Sequence, residues 1–336
     1  MRQFLISTVR ASVAAGVLAT STALFAGPLV KVGTFVPAKS VGVSKVIQPW
    51  MDAVQKDVGD AVTLKGFWGG TLGKSPFKQF ELVKNGVADV TWVLPGYTGG
   101  QFPQMSIFEL PFLFNNATEA SRVGWKLHEK GLLKGLEDVH LIGFFASEPN
   151  AMFFSKPLAS LADLNGKKVR SVGAIHAKWL ESVGASAQTL SSSEFNEGLQ
   201  RGTIDGAIQG WTGMRTFKSL PLVDQAIEVP VGVISFLLVM NKKTWDGLPA
   251  VAKTAVMKHG GLAMADTGGG AYSAVGKEIV ASVAKEGRIK TLSLDDATLK
   301  SYADNALAVH QWWIEKTPGG QQVYDEVQAM LKAMRK

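Results

Sequence analysis

The sequence predicts an α/β fold of two lobes built on mixed, mostly parallel sheets. Three observations lead there. Strand-like and helix-like segments alternate over 30–93 and again over 161–211, and such alternation favours parallel pairing. The chain has 336 residues, 46% of them hydrophobic and 19% charged. That is globular, and too long for one comfortable core. A helical tract of roughly 249–285 then follows both stretches.

The elements are justified in order. Arg2 and Arg10 precede an apolar run of about fifteen residues and then small residues, the pattern of a secretory signal peptide over 1–26, cut between Ala23 and Ala26. The run is short for a bilayer span of about 20 residues. Residues 30–36 read as the first strand. Residues 44–58 are helical in period, with Val46, Trp50, Val54 and Val58 on one face. Residues 62–67 form the second strand, which runs into Trp68 and the turn GGTLGKSP. A helix over 76–84 ends at Asn85-Gly86, and 89–93 is the third strand. The segment LPFLF at 110–114 reads as extended and core. A helix over 118–135, a strand over 139–145 and a crossing to the second lobe at 146–150 follow.

The second lobe centres on 161–211. Turn formers Asp163, Asn165 and Gly166 precede an extended KVRS, so Arg170 sits on a short strand opposite in direction to Val169. A helix over 175–183 ends at Gly184. A second helix, over 194–201, leads through Gly202 to a strand over 204–208, giving a β-α-β-α-β order. Asp205-Gly206 inside that last strand also signals a turn. Residues 232–240 form an apolar strand returning to the first lobe. The long helical tract is interrupted at Gly260-Gly261 and at Gly268, Gly269 and Gly270. Such glycines cost about 1 kcal/mol each against alanine, so they mark a break, a kink or a close contact. The rest is helical, with a turn at 318–320.

Several functions are excluded. There is no cysteine, hence no disulfide, thiol nucleophile, thiolate metal site or lipid-anchoring cysteine. The five histidines show no metal spacing and no HExxH. Ser191, Ser192 and Ser193 lie before Glu194 as a helix cap with a capping box, with no GxSxG around them. No cofactor and no metal are expected. Removing Arg2 and Arg10 lowers the formal charge from +7 to +5, and the charges are scattered. No nucleic-acid partner is expected.

A binding role fits better. Ligands of open α/β sheets bind beyond the carboxyl ends of the strands, where Trp68, Trp92, Pro95 and Tyr97 fall. Each ring alone is as readily core; at successive strand ends they read together as a pocket wall. Arg170 at a strand end can present a planar fork to a carboxylate. On pattern alone it is equally a solvated surface arginine.

The segments GGTLG, NGVADV, LPFLF, ADLNGKKVRSVG, SSEFNEGLQRGTIDGAIQG and NKKTWDGLP resemble, in the family's order, the solute-binding proteins of tripartite ATP-independent periplasmic (TRAP) transporters. The resemblance runs from about residue 30 to 249. It implies a two-lobed periplasmic binding protein with crossing strands and a long lobe-spanning helix. Lobe I is 27–148 with 237–270, and lobe II is 149–236 with 271–336. It makes Arg170 the arginine that clasps the ligand and Gln209 a second polar contact. Trp211 and Phe236 fall on cleft-facing segments. Asn150 or a near neighbour stands where many relatives carry another arginine. The resemblance implies a monomeric protein without enzymatic activity, which delivers a small-molecule organic acid to membrane permease subunits. With one cation fewer and several aromatic rings, that acid is expected to be a monocarboxylate with an apolar or aromatic body. The alternative is a sensory module that presents its solute to a receptor kinase.

Overall fold

The computed structural model describes residues 27–292 and 294–336; the signal peptide expected over 1–26 lies outside them. Along the chain come β1 (Leu29–Gly33), β2 (Thr63–Phe67), β3 (Val90–Val93), β4 (Val139–Ala146), β5 (Ala151–Phe154) and β6 (Lys168–Ser171). They are followed by β7 (Ser186–Thr189), β8 (Gly206–Gln209), β9 (Gln225–Ile227), β10 (Ser235–Asn241) and β11 (Lys290–Leu292). Two sheets result, in the orders β2-β1-β3-β10-β4 and β11-β9-β5-β8-β6-β7.

Each sheet is parallel except for one strand. In the first, β10 lies antiparallel between β3 and β4. In the second, β5 lies antiparallel between β8 and β9. The chain enters each of these two strands directly after crossing from the other sheet, β5 from β4 and β10 from β9. All seven residues of β10, SFLLVMN, are buried, as a strand covered on both faces requires. The predicted β-α-β-α-β order of the second lobe is present as β6, helix Ala174–Ser182, β7, helix Phe195–Arg201 and β8.

The crossing segments are bonded to one another. Ser147 N donates to Ile234 O (2.9 Å), Asn150 N to Gly232 O (2.8 Å), and Val231 N to Asn150 O (3.1 Å). Gly232 has φ +68°, and a side chain there would collide with the backbone of Glu109.

The helical tract divides at one of its two glycine clusters. Helix Ala250–His259 ends at Gly260, and Gly261 (φ +54°) opens helix Gly261–Glu286. The second cluster does not break that helix. A Cβ on Gly268 would lie 2.5 Å from Phe145 Cβ, and one on Gly269 2.6 Å from Thr118 Cα. These two glycines let the helix lie directly on β4 and on helix Ala117–Glu129. Nothing in the structure explains Gly270. At 26 residues the helix is about 39 Å long, and farther along it packs on helix Trp211–Thr216. Among the described residues no helix is long and apolar enough to cross a membrane.

Several local readings change, among them the strand expected over 232–240, which begins at Ser235. LPFLF is a turn rather than extended, with Phe112 at φ +60°, although Leu110, Leu113 and Phe114 are core as expected. The helix expected over 118–135 ends at Glu129, because Gly131 takes φ +68°. The strand expected over 204–208 begins at Gly206. Asp205 closes a turn onto β6, its Oδ2 accepting from Lys168 N at 2.8 Å.

Candidate functional site

The site forms where loops from the ends of both sheets meet. Alternation along β6 places Val169 on one face and Arg170 on the other, and Arg170 is 0% exposed. Its Nε donates to Leu190 O (2.8 Å) and its Nη1 to Ile208 O on β8 (2.7 Å). Nη2 points to Tyr97 Oη (3.3 Å) and Ser192 Oγ (3.4 Å). The guanidinium carbon lies 5.3 Å from the ring centre of Phe195. Burial pulls the Arg170 pKa below its usual range, opposed by Tyr97 and by the carboxyls of Glu109 and Glu194.

Tyr97 reaches this group from the first sheet, on the 3-10 turn Pro95–Thr98 after β3. Its hydroxyl accepts from Ser192 N (2.8 Å) and lies 2.8 Å from Ser192 Oγ. Gln209 ends β8, and its Nε2 donates to the same Ser192 Oγ at 3.1 Å. Arg170, Tyr97, Ser192 and Gln209 therefore share one buried polar node.

Apolar walls adjoin the node. Trp92 meets Phe236 edge to face at 5.0 Å, and Phe236 lies 5.2 Å from Tyr272 of the long helix. Phe35 and Phe217 stack at 6.4 Å. They enclose a cavity of about 50 Å³, bordered also by Tyr97, Ser192 and Gln209. Among the described residues, Trp92 Nε1 is buried without a hydrogen-bond partner.

A model of the family described as bacterial extracellular solute-binding protein, family 7 (DctP) matches residues 32–316. The chain belongs to this family. A TRAP solute-binding protein from Rhodoferax ferrireducens T118, solved with copurified benzoate, is 25% identical with a TM-score of 0.85; the match covers 91% of this chain and 98% of that one. A marine metagenome TRAP solute-binding protein specific for aromatic acid ligands is 24% identical, with a TM-score of 0.85 over 92% of this chain and 99% of that one, and bears on fold alone. The outer membrane transporter protein TsaT of Comamonas testosteroni is 26% identical over 271 residues, 78% of this chain and 80% of that protein. The two-lobed TRAP fold read from the sequence is thus present.

In this solute-binding protein, Arg170, Gln209, Tyr97, Trp92 and Phe236 come together at the cavity or its polar node. Trp68, Trp211 and Asn150 do not. Trp68 is half-buried and folds back over Gly66 of its own strand. Trp211 opens helix Trp211–Thr216, and its ring lies edge-on to Phe153 at 4.7 Å. It lines a separate groove of about 450 Å³ together with Asn150 and Glu148. Asn150 belongs to the crossing, its Nδ2 donating to Gly232 O at 3.2 Å.

Sequence reasoning missed Ser192, Phe35, Phe217 and Tyr272. Phe35 follows β1, so the strand-end rule applied to Trp92 finds it too. Ser192 was hidden by its expected capping role. In fact Glu194 is the N-cap residue, and its carboxylate accepts from Ser191 N and Oγ at 3.0 and 2.6 Å. That leaves Ser192 free to face Tyr97.

Proposed function

We propose that this protein is a periplasmic receptor for an organic monocarboxylate with an aromatic or apolar body, handed on to TRAP membrane permease subunits. One observation carries the reading. Arg170 is wholly buried at the cavity's polar node, and among the described residues no carboxylate lies within salt-bridge distance of it. A buried charge that touches no carboxylate is costly, and a ligand carboxylate offers the missing direct partner. The aromatic walls suit a ring, and stacking adds about 0.5–1.5 kcal/mol per pair beyond area burial. The benzoate found with the Rhodoferax relative supports the same class. In this reading residues 1–26 direct export, lobe I is 27–148 with 237–270, and lobe II is 149–236 with 271–336.

Benzoate and 3-hydroxyphenylacetate are expected to raise the melting temperature, whereas succinate and glucuronate leave it unchanged. A ligand at 100 times its Kd stabilises by about 2.7 kcal/mol, which a thermal shift resolves. Stabilisation by succinate or glucuronate alone overturns the monocarboxylate reading.

The cavity of about 50 Å³ is smaller than the roughly 150 Å³ that accommodates benzene. Loading therefore requires the lobes to part at the crossing segments, and a ligand touching both lobes favours the closed form. Small-angle scattering should show a smaller radius of gyration with saturating ligand than without. An unchanged radius argues for a rigid pocket.

A further inference from the structure

We propose that Glu109 is the internal counter-charge of Arg170 and takes up a proton from solvent when an anionic ligand binds. The inference rests on the reading that a ligand carboxylate meets Arg170.

Glu109 ends the 3-10 turn Pro103–Glu109 and is 3% exposed. Its carboxyl is wedged between Gly96, in the turn that carries Tyr97, and Gly173, the N-cap of helix Ala174–Ser182. A Cβ on Gly96 would collide with Oε1, and one on Gly173 would lie 3.3 Å from Oε2. Among the described residues Glu109 accepts no hydrogen bond and enters no salt bridge, and neither does the Arg170 guanidinium meet a carboxylate. The backbone ties the two charges together: Gly173, beside the Glu109 carboxyl, lies three residues beyond Arg170, and Gly96 precedes Tyr97, whose hydroxyl meets the guanidinium, with the N-terminus of helix Ala174–Ser182 on the side of the negative charge.

Two carboxyls act on the Arg170 charge, Glu109 and Glu194; bonds from Ser191 hold Glu194 below its ordinary range, hence ionised, which leaves Glu109 as the one that can titrate. Burial pushes its carboxyl up to about 7, and Arg170 opposes that. His176, in helix Ala174–Ser182, is pushed down to about 3 by burial and by Arg170, so it is neutral. Tyr97 follows Gly96 and bonds to Arg170 and Ser192. Lys316 shares with Glu109 a cavity of about 190 Å³; its exposure gives solvent protons a route. Helix Gly320–Met334 places no residue on that cavity, and β10 has no ionisable side chain.

The sign follows from charge. An empty site holds Arg170 positive and Glu109 largely ionised above pH 7. A bound carboxylate adds a second negative charge, which raises the Glu109 pKa further. The site then binds H⁺ at Glu109 together with the ligand, so affinity falls as pH rises, by up to tenfold per pH unit for one linked proton. The ligand's own carboxyl, with an ordinary pKa near ~4, is ionised throughout.

Benzoate affinity measured by calorimetry from pH 6.5 to 9, in buffers of different ionisation enthalpy, tests this. Expected are net proton uptake and a falling affinity above about pH 7 in the wild type. Glu109→Gln should abolish both and bind benzoate several-fold more tightly at pH 8. Glu148, also pushed up to about 7 by burial, is the control, and Glu148→Gln should keep the slope. A slope that survives Glu109→Gln, or vanishes in Glu148→Gln alone, overturns the assignment. Failure of every form to bind benzoate counts against the proposed ligand class instead. A ligand-free double-mutant cycle then decides: Arg170→Met and Glu109→Gln should be non-additive in denaturation midpoint at pH 8 and near-additive at pH 5. Additivity at both pH values overturns the pairing.

Discussion

Replacing Arg170 with alanine should weaken carboxylate binding by roughly 30- to 4,000-fold. Truncating one partner of a buried charge pair costs about 2–5 kcal/mol, and each 1.4 kcal/mol is tenfold in affinity. The guanidinium is 0% exposed and fixed from two sides, by Leu190 O and Ile208 O. Its remaining N–H groups are thereby aimed at Tyr97 and Ser192. Lysine cannot reproduce that fork, so Arg170→Lys should recover only part of the loss. Calorimetry with the tightest ligand of the panel reads the effect, and the melting curve of each variant shows whether it is folded. A folded Arg170→Ala that binds within threefold of wild type removes this residue from the site.

Trp92→Ala should cost about 3–5 kcal/mol of stability, the range for emptying a buried tryptophan. Trp92 is 3% exposed. Its ring lies 5.7 Å from Phe145 and 5.0 Å from Phe236, and it covers Gly42, where any side chain would collide with it. Trp92→Phe keeps most of the volume and gives up an Nε1 without a partner among the described residues, so it should cost about 1.5 kcal/mol or less. Urea denaturation measures both. The alanine variant also enlarges the ligand cavity, and bulkier aromatic acids should then stabilise it more than benzoate does. A Trp92→Ala protein within 1 kcal/mol of wild type would mean that this wall is loosely packed.

Much of this was legible because it is written in neighbouring residues. The turn residues Asn165-Gly166 before KVRS fixed where β6 begins and which way Arg170 points relative to Val169. Strand-end position brought Trp92 and Tyr97 to the cavity. The same rule misplaced Trp68, since whether a ring turns inward depends on what lies beside it, and Gly66 gave this one a seat on its own strand. Ser192 escaped notice because its partner, Tyr97, is 95 residues away.

The sequence alone determined the alternation of strands and helices, the parallel bias of the sheets and the buried-face pattern of residues 44–58. It also supplied the one arginine at a strand end on which the site turns. These are short-range properties of period, turn chemistry and charge. Tertiary structure alone decided that Gly268 and Gly269 are close contacts rather than a break, because only packing brings Phe145 and Thr118 against them. It alone set Glu109 beside Gly96 and Gly173. The burial and charge of a side chain are set by whatever the fold brings around it, and no window of neighbouring residues contains that information.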